Sequence, residues 1–339
     1  MKTPAIQSKF GPLAELLYQS YVPKILGAAI DVNVFEALNR NDLSLPELCE
    51  RLKTDKAVTE ALMDILVALD LAAIRDTTYR LTQTAKDFLV KSSAANQLGA
   101  IKTFSGSAGP FDNLAETLLS GPSVFNDRRW SSREAVSGME QQNRGGTLQS
   151  TLSFLKEIPE FGNCETMCDF AGNVGYFSFA FMEGNENLHS HVYDLPEVCA
   201  LGREMKTNEK NYDRITYHDF DATSDEAFGD GYDLFFSSHF LYEINARGTL
   251  ADFLSKVNRS MKPGGLFVSN HITSAGTGEN HLMESILELM TRCMGYPTHQ
   301  LSEEDLQAAL SSAGFGNFRT RLSSDDTPFP VLLLSAIKK

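Results

Sequence analysis

Met167-Cys168-Asp169-Phe170-Ala171-Gly172-Asn173-Val174-Gly175 decides the fold class of this chain, because an acidic residue ends an apolar run and a glycine-spaced turn follows it. Glu165-Thr166-Met167-Cys168 reads as the end of a buried strand, and the apolar segment 176–182 reads as a helix. Small residues at 171, 172 and 175 let a ligand approach the backbone, and a helix N-terminus presents N–H groups with no partner inside the helix. Strand–turn–helix units of this kind serve many cofactors, so the turn takes its meaning from what lies downstream.

A module beginning near residue 162 alternates strand and helix. Strands are predicted at 165–169, 190–194, 215–219, 232–238, 265–272, 316–322 and 330–337, with 250–257 the clearest helical pattern between them. Such alternation implies an α/β fold with a mostly parallel sheet and helices on both faces. The last segment suits an edge strand inserted antiparallel. Ligands of such sheets bind at the carboxyl ends of strands, and three of those ends are acidic here: Asp169, Asp194 in Tyr193-Asp194-Leu195-Pro196-Glu197-Val198, and Asp219 in Tyr217-His218-Asp219-Phe220. The second carboxylate is placed to accept bonds from ribose hydroxyls. The third, followed by Phe220, suits an adenine. Any one of them alone reads as a helix cap or a solvated turn. The three together favour an adenosyl ligand. Ala-Gly-Asn-Val-Gly lacks the Gly-x-Gly-x-x-Gly spacing that admits a pyrophosphate, which disfavours a nicotinamide-dependent oxidoreductase.

Residues 11–90 are helix-rich. Ser44-Leu45-Pro46-Glu47 opens a helix with capping-box spacing, Thr54-Asp55-Lys56-Ala57 opens another, and 72–82 reads as a hairpin. Helix–helix–helix–hairpin is a winged-helix pattern. Residues 54–69 carry both charge signs, and 44 acidic against 30 basic residues give the chain a formal charge of −14, so a subunit contact is expected in place of a nucleic-acid surface. Three regions follow: a winged-helix-like domain at 1–95, a helical linker and pocket wall at 96–160, and a nucleotide-fold domain at 161–339. No apolar run reaches the ~18 residues that would span a bilayer, and no signal-peptide core opens the sequence. Five scattered cysteines fit a reducing compartment, and Cys164 with Cys168 lacks the partners of a zinc site, so a cytoplasmic, metal-free protein is expected.

Here the resemblance becomes specific. Asp169-Phe170-Ala171-Gly172-Asn173-Val174-Gly175, Asp194-Leu195-Pro196-Glu197-Val198, Asp219-Phe220, Lys262-Pro263-Gly264-Gly265 and the stretch from Leu301-Ser302-Glu303 to Ala313-Gly314-Phe315 are similar to motifs of one family. It is the two-domain S-adenosylmethionine-dependent small-molecule O-methyltransferase family typified by caffeate O-methyltransferase and acetylserotonin methyltransferase. Ala28-Ala29-Ile30-Asp31-Val32-Asn33-Val34-Phe35 resembles its dimerising domain, so nearly the whole chain is covered. The resemblance implies a Rossmann-like domain with a seven-stranded sheet behind a winged-helix dimerisation domain, and a homodimer. The implied cofactor is S-adenosylmethionine, leaving as S-adenosylhomocysteine. Cofactor contacts are implied at Asp169, Ala171, Gly172, Asn173, Gly175, Asp194, Leu195, Asp219, Phe220, Ser237 and Ser238.

The family's catalytic histidine falls on Tyr242, its lysine on Ser238, and a supporting glutamate on Gln300. A phenol with an ordinary pKa near ~10 is a poor base at neutral pH. His239, three residues earlier, offers a substitute imidazole, and His271 a weaker one. His189 and His191 read as structural. The missing base widens the expected chemistry from O-methylation to C-, N- or S-methylation, with a cofactor-binding member that transfers no methyl as the alternative. Phe104, Phe125, Trp130, Met139, Met283, Met290 and Met294 are candidate walls for a small, apolar or aromatic acceptor.

Overall fold

The structure, a computed structural model, describes residues 7–105, 111–122, 131–222, 228–273, 281–296, 298–323, 327 and 329–339. Two compact units make up the chain, residues 1–109 and 110–339.

The first unit runs α1 (Gly11–Gln19), α2 (Val22–Asp31), α3 (Val34–Arg40), β1 (Leu43–Ser44), α4 (Leu45–Leu52), α5 (Lys56–Ala68), β2 (Ala72–Arg75), β3 (Thr78–Leu81), α6 (Gln83–Phe88) and α7 (Leu98–Ser105). The capping box at α4 forms as the sequence implies: Ser44 N donates to Glu47 Oε2 at 2.8 Å. Asp55 caps α5 by accepting from Val58 N at 2.9 Å. The hairpin β2–β3 gains a third strand, β1, which at two residues carries no periodicity that a sequence pattern could reveal. Ala29, Val34, Phe35, Leu48, Met63 and Leu66 close the core beneath it. By contrast α1 buries no residue and exposes Leu13, Leu16, Leu17 and Tyr18, an apolar helix face of the kind that marks an interaction surface.

The second unit runs α8 (Leu114–Ser120), α9 (Arg133–Asn143), α10 (Thr147–Lys156), β4 (Thr166–Phe170), α11 (Tyr176–Gly184), β5 (His189–Asp194), α12 (Pro196–Met205), β6 (Ile215–Asp219), β7 (Tyr232–Ser238), α13 (Leu241–Ala246), α14 (Leu250–Ser260), β8 (Met261–Ile272), α15 (His281–Cys293), α16 (Glu303–Ser312), β9 (Phe315–Ser323) and β10 (Val331–Lys338). One seven-stranded sheet has the order β6-β5-β4-β7-β8-β10-β9. The pairs from β6 to β8 are parallel, and β10 runs antiparallel to both of its neighbours. Strand order reverses between β4 and β7, so the crevice for a ligand opens at the end of β4, where the glycine turn sits.

Two findings depart from expectation. The segment predicted as an edge strand is β10, and it lies inside the sheet between β8 and β9. Its run Val331-Leu332-Leu333-Leu334 is buried throughout, as a strand covered on both faces requires. The edge is β9, whose Arg319 and Arg321 suit an exposed border. The other is that β8 begins at Met261, ahead of residue 265: Lys262-Pro263-Gly264-Gly265 forms an irregularity in its pairing with β7, with Gly264 at φ +75.

Alternation along the strands sends Phe170, Phe235 and Phe267 to one face of the sheet and Leu234, Phe236 and Val268 to the other. Leu148, Phe154 and Leu155 of α10 join the second of these cores. Residues 147–156 are therefore part of the sheet's own packing.

Candidate active site

The site is built on the turn that joins β4 to α11. Ala171 and Asn173 sit in the left-handed region at φ +54 and +55, which costs side-chain-bearing residues of order 1 kcal/mol or more and persists where surrounding bonds enforce it. Here those bonds are visible. Gly172 N donates to Tyr193 O at 3.4 Å, and Asn173 N donates to Asp194 Oδ2 at 2.8 Å. Gly172 has no room for a side chain: a Cβ there would lie 2.5 Å from the Asp169 carboxyl carbon.

Asp194 closes the arrangement. Its Oδ1 accepts from Leu195 N at 2.8 Å while Oδ2 holds the turn, so each oxygen keeps a lone pair for a ligand. Asp169 lies deeper and accepts from Ser178 Oγ at 2.5 Å, with Ser190 bonded behind that serine at 2.7 Å. Burial pushes the Asp169 carboxyl up to about 7 and the Asp194 carboxyl up to about 6, each partly offset by the bonds it accepts.

The Asp169 shift carries a consequence for the ligand-free protein. Its folded pKa lies above the ordinary value near ~3.9, so the native state holds this proton more tightly than the unfolded chain. The stability so contributed is complete below pH ~4 and is lost as pH rises through about 7. Asp169→Asn removes the titration, so the melting temperature of wild type minus that of the variant should fall steadily between pH 4 and 8. A difference that stays flat with pH would refute the shift.

Above the turn lies a cavity of about 330 Å³, bordered by described residues between Met139 and Val331. Asp169, Ala171, Gly172, Asn173, Asp194 and Leu195 form its turn side. Phe220, Asp221, Ala222, Ser238 and Phe240 border it at the ends of β6 and β7, and Tyr242, Met139, Met290, Met294, Tyr296 and His299 wall the remainder. Its charged lining is acidic, from Glu140, Asp169, Asp194, Asp221 and Glu243, with no lysine or arginine among the described lining residues. Glu140 is also an ion-pair partner of the buried Lys206 at 2.6 Å.

Four residues expected at the site lie outside the lining of this cavity. Asp219 is exposed and pairs with Arg203 at 2.9 Å, because alternation on β6 turns it toward α12; Asp221, two residues on, borders the cavity. Ser237 is fully buried one residue short of the rim, and Ser238 borders the cavity. Gly175, at φ +79, caps α11 and packs against Ile215, outside the lining. Met283 is exposed one turn before Leu287, the first residue of α15 that reaches the cavity. Phe125 and Trp130, and the side chain of Phe104, lie outside the described residues.

His239 borders the cavity in a left-handed conformation, φ +50, with its backbone N donating to Asn270 O at 2.8 Å. Burial, with the nearby His271 and His299, pulls it down to about 3, so the ring is neutral. His271 is buried beside the cavity and bonded to Leu301 O at 3.1 Å, likewise pulled down by burial to about 4. The Tyr242 ring lies 5.2 Å from His299 and 6.3 Å from Tyr296. Sequence reasoning missed His299. Its one available signal was adjacency to Gln300, the position taken for the family's glutamate.

The geometry fits S-adenosylmethionine. A turn without side-chain bulk at Gly172, an acid with free lone pairs at the second strand end and the rings of Phe220 and Phe240 on the lining match an adenosine. A lining of carboxylates without a cation suits a sulfonium and repels a pyrophosphate. Among the described residues no cluster of histidine, cysteine or acidic side chains could hold a metal ion, and no helix is long and apolar enough to cross a membrane.

Comparison with known proteins agrees with this architecture. Residues 14–91 match the O-methyltransferase dimerisation domain and residues 119–316 the O-methyltransferase domain. An uncharacterised protein of Methanocaldococcus jannaschii is 29% identical over 252 residues, covering 72% of this chain and 65% of its own length. The 3-hydroxy-5-methyl-1-naphthoate 3-O-methyltransferase of Streptomyces sahachiroi is 28% identical over 205 residues, or 57% of each chain. The chain thus spans less than two thirds of the length of these curated relatives. The crystal structure of human N-acetylserotonin methyltransferase in complex with S-adenosylmethionine superposes with a TM-score of 0.73 at 19% identity, covering 100% of this chain and 99% of that one, a likeness of fold. With the two family matches spanning most of its length in the order its two units take, the chain belongs to the O-methyltransferase family.

Proposed function

We propose that the protein is a homodimeric S-adenosylmethionine-dependent methyltransferase whose acceptor is a small aromatic molecule. The acid-lined, cation-free cavity over the glycine turn carries this reading. When bound, the sulfonium supplies an electrophilic methyl group. Asp194 holds the ribose hydroxyls through its outer lone pairs, Phe220 and Phe240 flank the base, and Asp221 meets the exocyclic amine. Asp169 braces the turn from beneath. Met139, Met290, Met294 and Tyr296 enclose the acceptor in apolar, polarisable surface that excludes water. Much of the acceleration in such a displacement comes from holding nucleophile and methyl in line, which these walls do. The apolar face of α1 and the match of residues 14–91 support assembly as a dimer.

Two measurements test the proposal. Calorimetric titration with S-adenosylhomocysteine should show binding, and labelled methyl from S-adenosylmethionine should pass to members of a phenol, aniline and thiol panel. Absence of binding at millimolar ligand would sink it. Light scattering should return twice the 37.4 kDa chain mass.

A further inference from the structure

The cavity wall formed after α15 holds an imidazole for which the turn and the strand ends have no use. His299 borders the cavity beside Tyr296 and Met294, with its ring stacked obliquely on Tyr242. Its Nδ1 is hydrogen-bonded to Thr291 Oγ1. That hydroxyl is buried and has a single proton, which it donates to Leu287 O at 2.7 Å one helical turn back. The bond to His299 must then be donated by the ring: Nδ1 carries the hydrogen, and Nε2 presents a lone pair. Among the described residues no hydrogen bond engages Nε2.

The segment is fixed from a second side. Glu288 Oε2 accepts from His299 N and from Thr298 Oγ1, each at 3.2 Å, and Arg292 holds the other carboxylate oxygen at 2.9 Å. The titratable and charged groups around His299 are Glu288 and Arg292 on α15, His239 beyond β7, Tyr242 on α13, and Tyr296 in its own segment.

We propose that His299 is the general base of this enzyme, its Nε2 taking the proton of the acceptor's hydroxyl from beside the usual position, which Tyr242 occupies. This rests on the methyl-transfer reading above. In the step, the acceptor O–H bond breaks, its electron pair stays on oxygen, and the proton bonds to the Nε2 lone pair. The resulting imidazolium lies beside the Glu288 carboxylate and later releases its proton to water. Thr291 is a positioning residue that fixes the tautomer. Burial lowers the His299 pKa against the opposing pull of Glu288, which keeps the ring neutral and able to accept at neutral pH. Neither neighbour competes: Tyr242 is a phenol, and the more deeply enclosed His239 is the weaker base.

Nitrogen-15 labelling of the histidines in the full-length protein, with His299 assigned by its loss in H299Q, reads the tautomer directly. The expected signal at pH 7 is a neutral ring protonated at Nδ1, and T291V should mix the two tautomers. An Nε2-protonated ring, or an imidazolium at pH 7, overturns the proposal. With labelled methyl donor and the phenol panel, H299Q should lower kcat about 100-fold while its S-adenosylhomocysteine Kd stays within about twofold of wild type. T291V should lower kcat with little change in KM, and Y242F should lower it less than tenfold. A wild-type rate in H299Q overturns the proposal as well. Should wild type bind no S-adenosylhomocysteine, the methyl-transfer reading fails by itself, and the nitrogen-15 signal still shows which ring nitrogen of His299 carries the proton.

Discussion

Asp194→Ala weakens S-adenosylhomocysteine binding by about 3 kcal/mol, roughly 100-fold in Kd. Two losses combine. The ligand's ribose hydroxyls lose charge-assisted bonds, each worth about 1.5–3 kcal/mol. The turn also loses its brace, because Asn173 N and Leu195 N both donate to this carboxylate. With Asn173 and Ala171 already in left-handed conformations, the unbraced turn is free to relax out of the shape that admits an adenosine. Asp194→Asn should fall close to alanine, since an amide meets two backbone donors with only one acceptor. Calorimetry decides the matter. A Kd within threefold of wild type in the alanine variant would remove Asp194 from the binding site.

Phe170→Ala costs about 4 kcal/mol of stability, near the middle of the range for burying a cavity in place of a phenyl ring. For a unit of this size that lowers Tm by about 10 °C. Phe170 is 1% exposed and contacts the rings of Phe220, Phe228, Phe235, Phe240 and Phe253, with centroids between 4.9 and 5.8 Å away. Two of those partners, Phe220 and Phe240, border the cavity. The variant should therefore also bind S-adenosylhomocysteine more weakly at temperatures where it remains folded. Phe181→Ala provides the contrast. Its ring packs on Phe161, Phe177 and Phe236, all in the core on the opposite face of the sheet from Phe170, and of these Phe177 borders the cavity. A similar loss of Tm with a smaller loss of affinity is expected there, since one of its ring partners borders the cavity where Phe170 has two. Equal affinity losses in both variants would show that binding merely follows global stability.

The strands of the second unit could be read from sequence to within a few residues, because each is an apolar run that its own side chains must bury. Which strands pair could not. The place of β10 depends on contacts between segments far apart in the chain, and its continuous Val-Leu-Leu-Leu run was the one local sign of a two-sided burial. At the site, Asp169 and Asp194 were legible because both end parallel strands beside the reversal point. That Asp219 faces Arg203 and lies outside the lining was not legible, because one step along a strand reverses the side that a residue faces. His299 was out of reach, since nothing local connects it to Tyr242. Their proximity arises from α15 returning over the cavity, and the imidazole's role rests on Thr291, a residue with no motif of its own.

The strand order also constrains how the polypeptide is made. On a ribosome β9 emerges before β10, yet its partner in the sheet is β10 alone, and β10 is also the one strand that covers the outer edge of β8. The sheet therefore cannot be completed before β10 has emerged. Until residues 331–338 have cleared the exit tunnel, β8 presents an open apolar edge and β9 waits unpaired. Closure of this unit waits on that last strand, and the interval before it is the period in which a chaperone, or an aggregate, can claim the chain.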